Sequence, residues 1–100
     1  MTADEGNRMR RFSMFHWGMY YLKTNFLGMS VTSWGRSQGH NAAVGGRLDS
    51  QHLEWTAADV VWDAHQRPEL PVLEAEAAKV GLEVVREVAH DHIQIARTHV

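Results

Sequence analysis

One hundred residues with a formal charge of −2, 44 % hydrophobic content and no cysteine describe one small domain that buries a single core. Without cysteine there are neither disulfides nor thiolate zinc fingers, so any bound metal must be held by histidine and carboxylate. No basic block marks a nucleic-acid footprint, no apolar run approaches a membrane span, and the N-terminus lacks the basic-then-apolar pattern of a signal peptide. The expectation is a chain made in the cytoplasm with neither nucleic-acid nor membrane partners.

Residues 1–11 are polar and are expected to form a flexible tail, followed by one domain over 12–100. From Phe12 to Leu27 the apolar residues Phe12, Phe15, Met19, Leu22 and Phe26 recur at three- and four-residue steps, which predicts an amphipathic helix weakened by Gly18 and ended near Gly28. Met29 to Trp34 is a short strand candidate. The Gly-, Ser-, Asn- and Gln-rich stretch from Gly35 to Gly46 is expected to be loop. Ala57 to Trp62 reads as a buried strand. Pro68 and Pro71 announce a second helix from Val72 to about Val80, with Gly81 placed to cap its C-terminus. Leu82–Val88 and His92–Ala96 alternate as two strands joined by a tight turn. Together these elements predict an α+β domain, a small antiparallel sheet packed against two helices.

The chain holds seven histidines. His52 lies seven residues before Asp59, and His90 and His92 stand near the C-terminus. A catalytic zinc takes three protein ligands and keeps one position open for water, and His52, Asp59 and His92 could supply them if the sheet brings them to one pole of the domain. Asp59, within an otherwise apolar strand, needs a partner, because a lone buried carboxylate is costly. Backbone hydrogen bonds, or pairing with Arg36 or Arg47, would also satisfy it. His90 and His92 could equally form an exposed strand edge. His16, His40, His65 and His99 have no partner at ligand spacing and read as surface or packing residues.

Three segments in order, Val31-Thr32-Ser33-Trp34-Gly35-Arg36-Ser37, Asn41-Ala42-Ala43-Val44-Gly45-Gly46, and Ser50-Gln51-His52 through Ala57-Ala58-Asp59, resemble the zinc D-Ala-D-Ala carboxypeptidase family. That family includes phage L-alanyl-D-glutamate endolysins and is related to the amino-terminal domain of hedgehog proteins. Its third zinc ligand is a histidine near the end, often followed by Ile or Val, and His92-Ile93 fits. The resemblance covers about Val31 to Ile95. It implies His52, Asp59 and His92 as zinc ligands, and Arg36 as the arginine that faces substrate. Ser50 would hydrogen-bond substrate or cap the turn before His52.

Two departures would reshape the cleft: Trp55 stands where the family usually has glycine, and Trp34-Gly35 reverses the usual small-then-aromatic order. A third concerns the general base. Many members carry an acid three residues before the last zinc histidine, but Ala89 occupies that position relative to His92, whereas Glu87 is three before His90. In one alignment His92 binds zinc, His90 plays the auxiliary role of the first histidine of a hedgehog-like His-X-His pair, and Glu87 is the base, with Asp91 the nearest alternative acid. In the other, His90 is the ligand. The first is preferred because His92-Ile93-Gln94-Ile95 continues as an alternating strand.

By this resemblance the chain is expected to be a zinc metallopeptidase cutting a stem-peptide bond of bacterial peptidoglycan, as a D-Ala-D-Ala carboxypeptidase or an L-Ala-D-Glu endopeptidase. It would act as a monomer on the cell wall or in the periplasm, as a phage lysin does. A zinc-binding but inactive domain that recognises cell-wall peptide is the alternative, kept open by the displaced Glu87. A metal-free interaction protein would use the same polar cluster as hydrogen-bonded core.

Overall fold

Thr2 caps the start of helix α1: its hydroxyl accepts the Glu5 backbone N–H at 3.1 Å and donates to Glu5 Oε1 at 3.2 Å. The computed structural model describes residues 2–35 and 56–96. Within them α1 runs from Ala3 to Asn25 and a second helix, α2, from Leu70 to Lys79. Four strands follow the predicted positions closely: β1 Met29–Ser33, β2 Ala57–Trp62, β3 Leu82–Arg86 and β4 Asp91–Ile95. Helix α1 thus begins earlier than the apolar periodicity suggested and includes residues expected to form a tail. The cap and the helix formers Ala3, Glu5, Arg8, Met9, Arg10 and Arg11 explain its extension in spite of Gly6 and Asn7.

The sheet is antiparallel throughout, in the order β1-β2-β4-β3. Strands β2 and β3 are therefore parallel to each other, joined across one face by α2, and β4 inserts between them. Pro71 in the first turn of α2 suits a position whose N–H has no helical partner. Gly81, at φ 75°, ends the helix as predicted, its N–H bonding the Ala78 carbonyl at 3.2 Å. One stripe of α1 (Phe15, Met19, Leu22) and Leu73 and Ala77 of α2 cover Met29, Ala58, Val60, Leu82, Ile93 and Ile95 of the sheet, and all are buried. Phe12, placed in that stripe by its spacing, is 46 % exposed, so the packed face begins one turn later.

Gly18 lies where α1 approaches the start of β3. A Cβ there would sit 2.8 Å from Leu82 Cδ1 and 3.3 Å from Val80 Cγ2. The glycine that weakens the helix thus also leaves room for the close approach of Leu82 and Val80. Gly18→Ala gains about 1 kcal/mol of helix propensity and loses a comparable amount in displacing the Leu82 side chain, so its net effect should be small. Gly18→Val adds atoms that cannot be accommodated, and a loss of about 1–3 kcal/mol is expected in thermal unfolding. Equal melting temperatures for the valine variant and wild type would contradict this packing.

At the end of the core, Asp91 is completely buried. Arg86 donates to its two oxygens at 2.9 and 3.0 Å, Arg67 Nη2 at 3.1 Å and Trp62 Nε1 at 2.8 Å. Burial pushes this carboxyl up, but the hydrogen bonds from Arg86, Arg67 and Trp62 outweigh it and hold the group below its ordinary range. Because the folded-state value is depressed, the resulting stability is present above the unfolded carboxylate range near pH 4 and is lost as pH falls through the folded value. Asp91→Asn should destabilise by about 2–3 kcal/mol, less than the ~3–5 of a fully buried pair, because both guanidinium side chains keep some solvent contact. Denaturant unfolding at neutral pH measures it, and an unchanged midpoint would refute it.

Candidate functional site

Alternation along the two central strands decides which side chains can meet. In β2, Ala58 and Val60 point at the helices, so Ala57, Asp59 and Val61 take the opposite face. In β4, Ile93 and Ile95 point inward and His92 and Gln94 outward. The antiparallel register makes Asp59 and His92 direct cross-strand partners. Asp59 Oδ1 lies 3.0 Å from His92 Nδ1, with the two side chains 24 % and 22 % exposed. Asp59 is therefore not a carboxylate lost in the core, as its apolar neighbours in sequence suggest. Its strand has two faces, and it stands on the outer one.

The other ring nitrogen, His92 Nε2, lies 2.9 Å from Gln94 Oε1, and Gln94 Nε2 donates to Glu83 Oε1 at 2.6 Å. Glu83 is the cross-strand partner of Gln94 on β3, as Val85 is of His92. A row of polar side chains, Asp59, His92, Gln94 and Glu83, thus crosses three strands on the face away from the helices. Gln94 is 5 % exposed. Gln94 and Glu83 were not among the residues singled out by motif; the only sequence signal was that Gln94 shares a strand face with His92.

The ladder continues to the hairpin end, where the Glu87 N–H bonds the His90 carbonyl at 2.9 Å. Glu87 directly follows β3, and alternation continued one residue past the strand would put it on the face of Glu83 and Val85, about 7 Å along from Val85. It is exposed, and His90 is half-buried. Arg67 holds this turn in place by donating to the backbone carbonyls of Val88, Glu87 and His90 at 2.8, 2.6 and 3.0 Å. Asp91, the alternative acid, takes the inner face and is committed to two arginines and a tryptophan, so it is unavailable as a base. Arg36, Ser50 and His52 lie outside the described residues.

The Asp59 and His92 atoms have the chemistry of zinc ligands, and their hydrogen-bonded spacing is compatible with a metal between them. Two ligand atoms each about 2.0–2.1 Å from a tetrahedral zinc stand roughly 3.3 Å apart, close to the separation of Asp59 Oδ1 and His92 Nδ1. A ligating histidine also normally has its second nitrogen held by an outer partner, which Gln94 provides. Among the described residues no group of three potential ligands converges, since only two of the three proposed ones fall there.

No curated protein and no solved structure matches the chain. The family model described as Peptidase M15 matches residues 18–95, from the middle of α1 to the last residue of β4. That span contains Asp59, His92, Gln94 and Glu83 together with every strand of the sheet, and by it the chain belongs to the peptidase M15 family, metallopeptidases that are generally zinc-dependent.

Proposed function

We propose that this domain is a zinc-dependent peptidase that hydrolyses a stem-peptide bond of bacterial peptidoglycan, as a D-Ala-D-Ala carboxypeptidase or an L-Ala-D-Glu endopeptidase of the phage-lysin kind. The apposition of Asp59 Oδ1 and His92 Nδ1 on one sheet face of a peptidase M15 chain carries the reading. His52, which precedes β2, completes the ligand set. The same register favours His92 over His90 as the third ligand, because Asp59 pairs with His92 and His90 stands two residues away at the turn.

When bound, zinc supplies Lewis acidity, lowering the pKa of a water to about 7 and polarising the scissile carbonyl. Glu87 takes the proton of the attacking water and returns it to the leaving amine. Arg36 presents a permanently charged fork to a substrate carboxylate or to the developing oxyanion. His90, paired with Glu87 across the hairpin end, assists in the transition state, and Ser50 hydrogen-bonds substrate. The proposed substrate would place the protein at the cell wall or in the periplasm, where it would act as a monomer.

Incubation of the zinc-loaded protein with purified bacterial cell wall tests the proposal. Release of free D-Ala identifies the carboxypeptidase, and new amino termini on D-Glu identify the endopeptidase. Zinc-dependent release of neither sinks the enzymatic reading. The exposed, displaced position of Glu87 favours one second reading, an inactive zinc domain that recognises cell-wall peptide. Retained zinc and saturable wall binding without turnover would select it.

A further inference from the structure

The polar row beside Asp59 fixes where the protons lie. Glu83, as a carboxylate, only accepts hydrogen bonds, so the Gln94 group facing it at 2.6 Å must be the amide NH₂. The Gln94 carbonyl oxygen then faces His92 Nε2 at 2.9 Å, and Nε2 must carry a hydrogen to donate. A neutral imidazole has one N–H, so the remaining nitrogen, Nδ1, presents its lone pair to Asp59 Oδ1 at 3.0 Å. Two acceptors in that position are drawn together only by a cation between them, which is a second ring proton where the imidazole is charged and a metal ion where it is neutral.

We infer that Glu83 and Gln94 form a positioning relay that locks His92 as its Nε2–H tautomer and reserves Nδ1 for the metal. The inference rests on the proposed zinc site. The relay matters because of what it prevents. Left alone, the neutral ring would place its hydrogen on Nδ1 and donate it to Asp59, a hydrogen bond that satisfies both ligands and competes directly with zinc. Fixing the hydrogen on Nε2 removes that alternative. The burial of Gln94, on a sheet face turned away from the helices, strengthens both of its hydrogen bonds and blocks rotation of the amide. A leucine would fill the same strand position without polar demands, so the glutamine is explained by what it holds.

The test measures zinc affinity by competition with a chelating dye, and the His92 ring tautomer by ¹⁵N chemical shifts in zinc-free protein at alkaline pH, where the ring is neutral. Wild type should show the Nε2–H form. Gln94→Leu should shift the ring to the Nδ1–H form and weaken zinc binding by about 10- to 100-fold, the usual effect of removing an outer-shell partner. Glu83→Gln, which lets the Gln94 amide turn either way, should give a mixture of tautomers and an intermediate affinity. The exchanged pair Glu83→Gln/Gln94→Glu keeps an acceptor facing Nε2 and a donor on β3, and should restore both the tautomer and the affinity to within a few-fold of wild type. A merely structural role for Gln94 would not move the tautomer. Wild-type affinity and tautomer in Gln94→Leu overturn the relay, and if that variant does not fold, failure of the exchanged pair to outperform Glu83→Gln does so. Wild-type protein that binds no zinc overturns the reading of the site instead, while its zinc-free tautomer still decides the relay.

Discussion

Chelation of the zinc-loaded protein is expected to lower its melting temperature by roughly 15 °C or more. By linkage, a ligand held only by the native state at about 1,000 times its Kd adds ~4.1 kcal/mol, and each kcal/mol moves the midpoint of a domain this size by about 4–8 °C. A chain of 100 residues without disulfides has few other ways to gain as much. Elemental analysis after dialysis should find about one zinc per chain. Asp59→Ala and His92→Ala each remove one of the two apposed atoms proposed as ligands, so both should lose the metal and with it the response to chelator. His52→Ala should behave in the same way, and His90→Ala should keep its zinc. Loss of metal from His90→Ala but not from His92→Ala would reverse the assignment of the third ligand. Variants at Asp59 and His92 that still melt at the zinc-dependent temperature would remove these residues from the metal site altogether.

Local chemistry made much of this architecture readable. The three- and four-residue spacing of Phe15, Met19 and Leu22 marked the buried stripe of α1, and Gly81 marked the end of α2 because its left-handed backbone suits a residue without Cβ. The start of α1 was also written in the chain. Thr2 and Glu5 stand at capping-box spacing, but a polar stretch draws attention to its lack of periodicity rather than to its caps. Phe12 shows the converse, since spacing alone cannot say where a long helix leaves the core. The least accessible information was register. Nothing local to β2 or β4 says that β4 inserts between β2 and β3, and it is this non-local pairing that sets Asp59 against His92. Asp91 makes the same point from the other side: it adjoins His92 in sequence, yet the pleat sends the two side chains to opposite faces, one to a pair of arginines and the other to the polar row. The Glu83–Gln94–His92 chain spans two strands, and only its last step, two residues along β4, lies within reach of a sequence pattern.

Glu87→Gln is expected to keep the fold and the zinc while losing most peptidoglycan hydrolysis. The amide preserves the size and shape of the side chain but cannot accept the proton of the attacking water, and general-base catalysis typically contributes about 10²–10⁴-fold. The substitution should be structurally mild, because the Glu87 side chain is exposed and the turn beneath it is held through backbone carbonyls by Arg67. Zinc content, melting temperature and the rate of amine release from cell wall should therefore separate, with the first two unchanged and the third reduced by at least a hundredfold. Arg67→Ala provides the complementary case. It leaves the carboxylate in place but releases the three carbonyls that fix the turn, so it should lower turnover less than Glu87→Gln while also lowering stability. Near-normal hydrolysis by Glu87→Gln would require another base. Asp91 is excluded by its burial among Arg86, Arg67 and Trp62, and among the described residues Glu83 is a further carboxylate hydrogen-bonded into the polar row.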